Sequence, residues 1–138
     1  MDALYQEKIL AFARSSRESV AVQDAGATAT VSNPVCGDRV EVRLKLDKDG
    51  VITAASTDVR GCALCEAGAG LFVNLAPGLE SASLSKLHAG FSGWLSGEDN
   101  NEISPSMQDF HPVRSIKNRH KCVLLAFEAA ARAVSDKS

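Results

Sequence analysis

The stretch Val40-Glu41-Val42-Arg43-Leu44-Lys45-Leu46 decides the fold of this 138-residue chain, because its apolar and charged side chains alternate without a break. Alternation with a period of two is typical of a β-strand that buries one face and exposes the other. Asp47-Lys48-Asp49-Gly50 then has the composition of a turn, and Val51 to Val59 can return as a second strand. The sequence therefore predicts an antiparallel β-hairpin.

Helical patterns lie on both sides of this hairpin. Apolar residues recur at helical spacing in four segments, which are Asp2 to Arg14, Leu64 to Leu75, about Ser83 to Leu95, and His120 to Val134. Two glycines, Gly68 and Gly70, lie inside the second segment, where each costs about 1 kcal/mol relative to alanine. We therefore expect close packing against another backbone at these two positions.

The remaining segments complete the predicted architecture. Thr28 to Val31 has the β-branched content of a strand, whereas Ser15 to Gly26 and Gly97 to Phe110 have no strong period and are predicted to be loops. An order of helix, strands and then helices is typical of an α+β fold. We predict a small antiparallel sheet of about three strands with helices packed on one face. No repeat or linker divides the sequence, so residues 1–138 are expected to form a single domain.

Composition argues against two classes of function. The chain has 15 basic and 17 acidic residues and a formal net charge of -2, without the basic stripe that nucleic-acid binding requires. Its apolar runs are far too short to span a bilayer, and Met1 to Lys8 lacks the pattern of a secretion signal. We expect a soluble cytoplasmic protein that binds neither nucleic acid nor membrane.

Three separate segments contain cysteine thiols. The first is Cys36-Gly37-Asp38, the second is Gly61-Cys62-Ala63-Leu64-Cys65, and the third begins the last helical pattern at Cys122. Residues i and i+2 of a strand point to the same side, so the first segment can supply a thiolate and a carboxylate together. Such a set suits zinc, iron or an iron-sulfur cluster far better than calcium or magnesium.

Other interpretations of the cysteines remain open. A disulfide framework is disfavoured, because a chain of this length buries a core without cross-links. Cys62 and Cys65 could form a redox dithiol, although the parallel βαβ pattern of thioredoxin-type proteins is absent. A zinc ribbon would need two close cysteine pairs. Cys65 could also be an ordinary buried helix residue.

The three histidines are weaker candidates than the cysteines. His88 lies beside the apolar stripe of a predicted helix and is more typical of a structural residue, whereas His111 precedes Pro112 in a loop and is expected to be solvated. His120 lies two residues before Cys122, so it is a candidate for an additional ligand or a proton carrier.

These motifs together resemble the U-type iron-sulfur cluster scaffold family, which includes IscU, SufU and the amino-terminal part of NifU. The resemblance covers most of the chain and is carried by Asn33-Pro34-Val35-Cys36-Gly37-Asp38, the hairpin, the Gly61-Cys62 helix start, and Arg119-His120-Lys121-Cys122 with its helix. It implies a SufE/NifU-like α+β fold.

The resemblance also implies a ligand set and partners. Cys36, Asp38, Cys62 and Cys122 would hold zinc or iron and, transiently, a [2Fe-2S] or [4Fe-4S] cluster. Cys122 would accept persulfide sulfur from a cysteine desulfurase, and apo iron-sulfur proteins would receive the cluster. Cys65, Arg119, His120 and Lys121 are auxiliary candidates.

Within the family, the chain is more similar to the SufU branch. IscU members carry a histidine directly before the third cysteine and a Leu-Pro-Pro-Val-Lys motif ahead of it, whereas this chain has Lys121 in the place of the histidine and lacks the motif. The separation between Cys62 and Cys122 can hold a SufU-type insertion, and Arg119 matches an arginine of that branch. Lys117 replaces a proline usual there, and Cys65 is an addition.

Three functions follow as hypotheses. The leading one is a scaffold on which a cluster is assembled and from which it passes to apo-proteins. The alternative is a zinc-dependent sulfurtransferase, an enzyme that takes sulfur from a cysteine desulfurase. A purely structural zinc domain is the least favoured, because the chain can bury a core unaided.

Overall fold

The computed structural model describes residues 3–34, 37–98 and 103–135. Its three strands are β1 (Ala27–Asn33), β2 (Asp38–Leu46) and β3 (Ile52–Arg60), which form an antiparallel sheet in the order β1-β2-β3. The predicted hairpin is thus confirmed, and a second hairpin joins β1 to β2. Asn33 pairs with Asp38 at the end where β1 leads into β2.

The alternation in β2 has the expected structural effect. Val40, Val42 and Leu44 have no exposed surface, whereas Arg39 and Lys45 point to solvent. At the turn that follows, Asp47 Oδ1 accepts hydrogen bonds from the backbone amides of Asp49 and Val51, at 2.8 and 2.9 Å. These bonds satisfy the turn backbone, so the predicted turn residues have the roles expected of an Asx-type turn.

Five helices complete the described part of the chain. They are α1 (Ala3–Glu18), α2 (Ala63–Leu75), α3 (Leu84–Leu95), the short α4 (Pro105–Gln108) and α5 (His120–Ser135). Helix α5 packs on β1 and β2, while α2 contacts both α1 and α5. The result is the predicted α+β architecture, with a three-stranded antiparallel sheet covered by helices. No helix in the described ranges has both the length and the apolar composition needed to cross a membrane.

The two glycines of α2 mark close backbone contacts, as predicted. A Cβ placed on Gly68 would overlap the backbone carbonyl of Val123 in α5, and one on Gly70 would overlap the carbonyl of Phe12 in α1. Helices can approach this closely only where a side chain is missing. Gly68 therefore fixes α2 against the turn of α5 that contains Cys122.

Two predicted loops are partly helical. Helix α1 continues through Ser15 to Glu18, because Ser16 is buried and its hydroxyl lies 3.1 Å from that of Thr57 in β3. The segment Gly97 to Phe110, of which residues 99–102 lie outside the described ranges, contains α4. This small helix forms because Ser104 caps it by accepting a hydrogen bond from the amide of Met107, which is itself buried.

Candidate metal centre

Three ligating side chains from different elements meet at one end of the sheet. Asp38 is the first residue of β2, Cys62 directly precedes α2, and Cys122 lies in the first turn of α5. One ligand atom from each of these residues lies within 4.8 Å of the other two. Cys36, the fourth predicted ligand, lies outside the described residues. The structure therefore brings together the three predicted ligands that it describes.

Asp38 and Cys122 form the buried part of this group. The Cys122 thiol donates a hydrogen bond to Asp38 Oδ2 at 2.7 Å. Cys122 is 0% exposed and Asp38 is 4% exposed. A buried polar group is costly unless it has a partner, so this contact stabilises both side chains. An incoming metal ion would displace the thiol proton, because thiols ligate metals as thiolates.

The position of Asp38 follows from the tight connection between β1 and β2. The amide of Gly37 donates to the carbonyl of Asn33 at 2.8 Å, and Gly37 has a φ of 74°. Glycine adopts this left-handed conformation at little cost, whereas most residues do not. Asp38 therefore lies at the start of β2 with its side chain on the buried face.

Cys62 is held at the helix entrance. Its backbone is extended, with φ -73° and ψ 171°, and its carbonyl accepts the hydrogen bond from Glu66 N that begins α2, at 3.1 Å. Its thiol makes no capping hydrogen bond and is partly exposed. Cys62 is therefore the member of the group that solvent or a partner molecule reaches most directly.

The donor set fits one divalent metal ion. In a tetrahedral zinc site with Zn–S of about 2.3 Å and Zn–O of about 2.0 to 2.2 Å, neighbouring ligand atoms lie roughly 3.5 to 3.8 Å apart. The ligand atoms lie within 4.8 Å of one another, so the wider separations would have to close slightly. Cys122 Sγ and Asp38 Oδ2, which are 2.7 Å apart across a hydrogen bond, would instead have to separate once the thiol proton is lost. Two thiolates and a carboxylate are also ligands that zinc and iron accept.

The auxiliary candidates occupy different surroundings. His120 Nε2 lies 2.9 Å from the carbonyl oxygen of Val113 and 3.1 Å from that of Arg114, where it can hold the chain ahead of α5. Lys121 is exposed, and Arg119 is half-buried at the end of a short 3-10 turn. A direct part for these three side chains in ligation stays a prediction.

The other two histidines lie outside the three-residue group. His88 is half-buried in α3, where burial lowers the pKa of its imidazole and the nearby Glu128 carboxylate partly opposes this. His111 is exposed, and its ring meets the edge of Trp94 with the ring centres 6.3 Å apart. The sequence predicted a structural helix position for His88 and a solvated position for His111, and the structure agrees with both.

Cys65 lies in the hydrophobic core and is not a member of the three-residue group. It is 1% exposed, and none of the described cysteines Cys62, Cys65 and Cys122 is part of a disulfide. Cysteine commonly serves as a small buried hydrophobe, which agrees with this position.

The Cys65→Ala variant should keep its metal. We expect the same zinc stoichiometry as the parent and a loss of about 1 kcal/mol in the free energy of unfolding, because only one buried sulfur atom is removed. Metal analysis after dialysis and a urea titration measure the two quantities. Loss of zinc binding without a matching loss of stability would make Cys65 a ligand.

Gly61 is a residue of the site that sequence reasoning passed over. An ideal Cβ on Gly61 would lie 2.6 Å from Asp38 Oδ1 and 3.0 Å from its Cγ. The missing side chain therefore leaves the space that the Asp38 carboxylate occupies. The sequence offers one signal for this role, the glycine directly before Cys62, and only the fold shows which carboxylate faces it.

Residues 4–137 match the model of the NifU-like N terminal domain family, so the chain belongs to that family.

Its relatives include both branches discussed above. The zinc-dependent sulfurtransferase SufU of Bacillus subtilis is 27% identical over 141 residues, which cover 98% of this chain and 92% of that protein. The iron-sulfur cluster assembly scaffold protein IscU of Thermotoga maritima is 28% identical over 134 residues, which cover 95% and 92%. A crystal structure of the N-terminal part of a NifU-like protein from Brucella abortus superposes with a TM-score of 0.82 at 29% identity, covering 96% of this chain and 93% of that one.

Proposed function

We propose that this chain, as a single domain, is a scaffold for iron-sulfur cluster assembly. The observation that carries the proposal is the convergence of Asp38, Cys62 and Cys122 from three elements to within 4.8 Å of one another. Cys36 is the fourth ligand of the proposed set. Iron and sulfide are the cargo, and the assembled cluster passes to apo iron-sulfur proteins in the cytoplasm.

The ligands have unequal strengths in this proposal. Three thiolates and one carboxylate carry more negative charge than a divalent ion neutralises, and the carboxylate is the weakest ligand for a soft metal. Asp38 is therefore the ligand that leaves first. Its departure opens a position for sulfide during assembly, or for a thiol of the acceptor protein during transfer.

Cys122 is the proposed sulfur acceptor. Its thiolate attacks the outer sulfur of a persulfide on a cysteine desulfurase, so a new S–S bond forms on Cys122 and the desulfurase cysteine leaves as a thiolate. The transfer itself needs no oxidant, because the outer persulfide sulfur is already at the sulfane level. Its later release as cluster sulfide takes two electrons, which an excess of a small thiol such as cysteine supplies as it is oxidised to a disulfide. Because Cys122 is fully buried, it must become accessible when the desulfurase binds, and its burial afterwards protects the bound persulfide from water and from competing thiols.

Asp38→Ala tests the proposed role of the carboxylate. Without its most readily displaced ligand, a reconstituted cluster should exchange more slowly, and we expect its lifetime in the presence of an apo-ferredoxin to increase by about threefold or more. Anaerobic visible absorption follows the cluster. Asp58→Ala is a matched control, because Asp58 is an exposed carboxylate on β3. A shorter cluster lifetime in Asp38→Ala would contradict this role.

Reconstitution tests the scaffold function itself. The protein is incubated without oxygen with ferrous iron, cysteine and a cysteine desulfurase, and is then separated from the reagents. A scaffold is expected to retain a coloured cluster and to convert apo-ferredoxin to its holo form. A protein that never holds a transferable cluster under these conditions is not a scaffold.

A zinc-dependent sulfurtransferase is the second candidate function. Two observations favour it: the compact ligand group suits a single ion, and Lys121 stands where IscU members have histidine. When bound, zinc would supply a Lewis-acid centre that orients Cys122 and keeps it deprotonated. In the same reconstitution, this function predicts that zinc resists replacement by iron and that the protein accelerates cysteine turnover by the desulfurase.

A further inference from the structure

The space beside Gly61 is shaped by the Asp38 carboxylate. A Cβ at Gly61 would approach Asp38 Oδ1 to 2.6 Å, closer than side-chain carbons come to other atoms, and would lie 3.1 Å from the Cβ of Cys65. Cys65 is buried in α2 and cannot retreat, because the core surrounds it. The carboxylate is the free end of a rotatable side chain, so Asp38 is the group that would yield.

The backbone does not explain the glycine. Gly37, Gly50, Gly78 and Gly97 have positive φ angles, but Gly61 is not in that set. An alanine could therefore adopt the backbone conformation of Gly61 without strain. What remains is a steric reason, and the closest contact of an added Cβ is with the Asp38 carboxylate, ahead of the Cβ of Cys65.

We propose that Gly61 is the positioning residue that sets where the Asp38 carboxylate lies, and thereby how readily Asp38 binds and leaves the metal. The proposal rests on the proposed function, in which Asp38 is the exchangeable ligand. A methyl group at position 61 would push Oδ1 away from the space it occupies. Because Oδ2 of the same carboxylate accepts the hydrogen bond from Cys122, a rotation of the group also disturbs that contact.

The test is a double-mutant cycle on zinc release. Parent, Gly61→Ala, Asp38→Ala and the double variant are loaded with zinc, and the dissociation rate is measured by transfer to a chromogenic chelator. Both single variants should release zinc about tenfold faster or more, because a single ion held with one bond fewer dissociates more readily. Loss of a cluster to an apo-ferredoxin differs, because in the proposed function it is limited by the departure of Asp38 rather than by the number of bonds to one ion. In the Asp38→Ala background, Gly61→Ala should change the rate by less than about twofold, because the group it displaces is already absent.

Cobalt substitution gives a readout independent of rates. The thiolate-to-cobalt absorption bands should keep their intensity in Gly61→Ala, since no thiolate is lost, whereas the ligand-field bands should shift to match those of Asp38→Ala. Gly90→Ala is the control, because a Cβ at Gly90 meets nothing within 4 Å. It should leave both the release rate and the spectrum unchanged.

The outcomes separate the inference from the proposed function. If Asp38→Ala releases zinc as slowly as the parent, Asp38 is not a ligand and the proposed function loses its exchangeable ligand. If Asp38→Ala accelerates release but Gly61→Ala does not, or if the two effects multiply in the double variant, the inference about Gly61 is overturned.

Melting temperatures show whether a variant that releases zinc quickly is simply unfolded. Because the double variant has no carboxylate to clash with, its melting temperature should lie within about 3 °C of that of Asp38→Ala, even if Gly61→Ala alone is unstable. A double variant that melts much lower would show that the methyl group collides with something other than Asp38, and would also overturn the inference.

Discussion

Cys122→Ala is expected to weaken zinc binding by about 100-fold or more and to abolish uptake of sulfur from a cysteine desulfurase. The first number follows because structural zinc sites are worth about 10 to 16 kcal/mol over four ligands, so one ligand accounts for roughly 3 kcal/mol. The second follows because Cys122 is the proposed acceptor of the sulfur atom. Chelator competition measures affinity, and mass spectrometry after exposure to desulfurase and cysteine detects the added sulfur.

Cys65→Ala is the matched control for this prediction. Both residues are buried cysteines near a helix start, but only Cys122 belongs to the three-residue group. If both substitutions cost similar metal affinity, the effect would come from lost packing rather than from lost ligation. If Cys122→Ala still acquired sulfur that mapped to Cys62, the proposed role of Cys122 would be wrong.

Gly68→Ala is expected to lower the free energy of unfolding by about 2 kcal/mol or more, despite the higher helix propensity of alanine. The added methyl group would meet the backbone carbonyl of Val123, which no side-chain rotation can move away. Helices α2 and α5 must then separate. Because Cys62 precedes α2 and Cys122 lies in α5, the separation should also weaken zinc binding.

Gly90→Ala again supplies the comparison. It places the same methyl group in the helix α3, where nothing lies within 4 Å of the new Cβ. We expect it to be neutral or to stabilise the protein by up to about 1 kcal/mol. Urea denaturation of the two variants measures both effects, and equal stabilities would mean that α2 and α5 do not pack as closely as described.

Local patterns predicted most of the fold. The alternation in Val40 to Leu46 predicts β2, because one face of that strand is fully buried and must therefore be apolar at every second residue. The helical segments were found for the same reason. The sequence analysis did not assign α4, because a helix of four residues is too short to show an apolar period. Ser104 followed by Pro105 is a local helix-start signal, but burial of Met107 and Phe110 is a tertiary effect that the pattern does not show.

The same distinction holds for the candidate site. Residue chemistry indicated a thiolate site because few residue types ligate soft metals, but the choice of Asp38, Cys62 and Cys122 came from the family resemblance. The structure places these three side chains together. The contact between Gly61 and Asp38 could not be inferred, because it depends on how β2 lies against the start of α2. Glycine in a sequence shows that space is needed, but not for which neighbour.

The atoms that surround one bound ion test the proposed centre most directly. X-ray absorption spectroscopy at the zinc edge, on the zinc-loaded protein, should show three sulfur ligands at about 2.3 Å and one oxygen ligand at about 2.0 Å. The oxygen should be replaced or lost in Asp38→Ala. A shell of four sulfurs, or one with fewer than three, would contradict a centre built from three cysteines and Asp38.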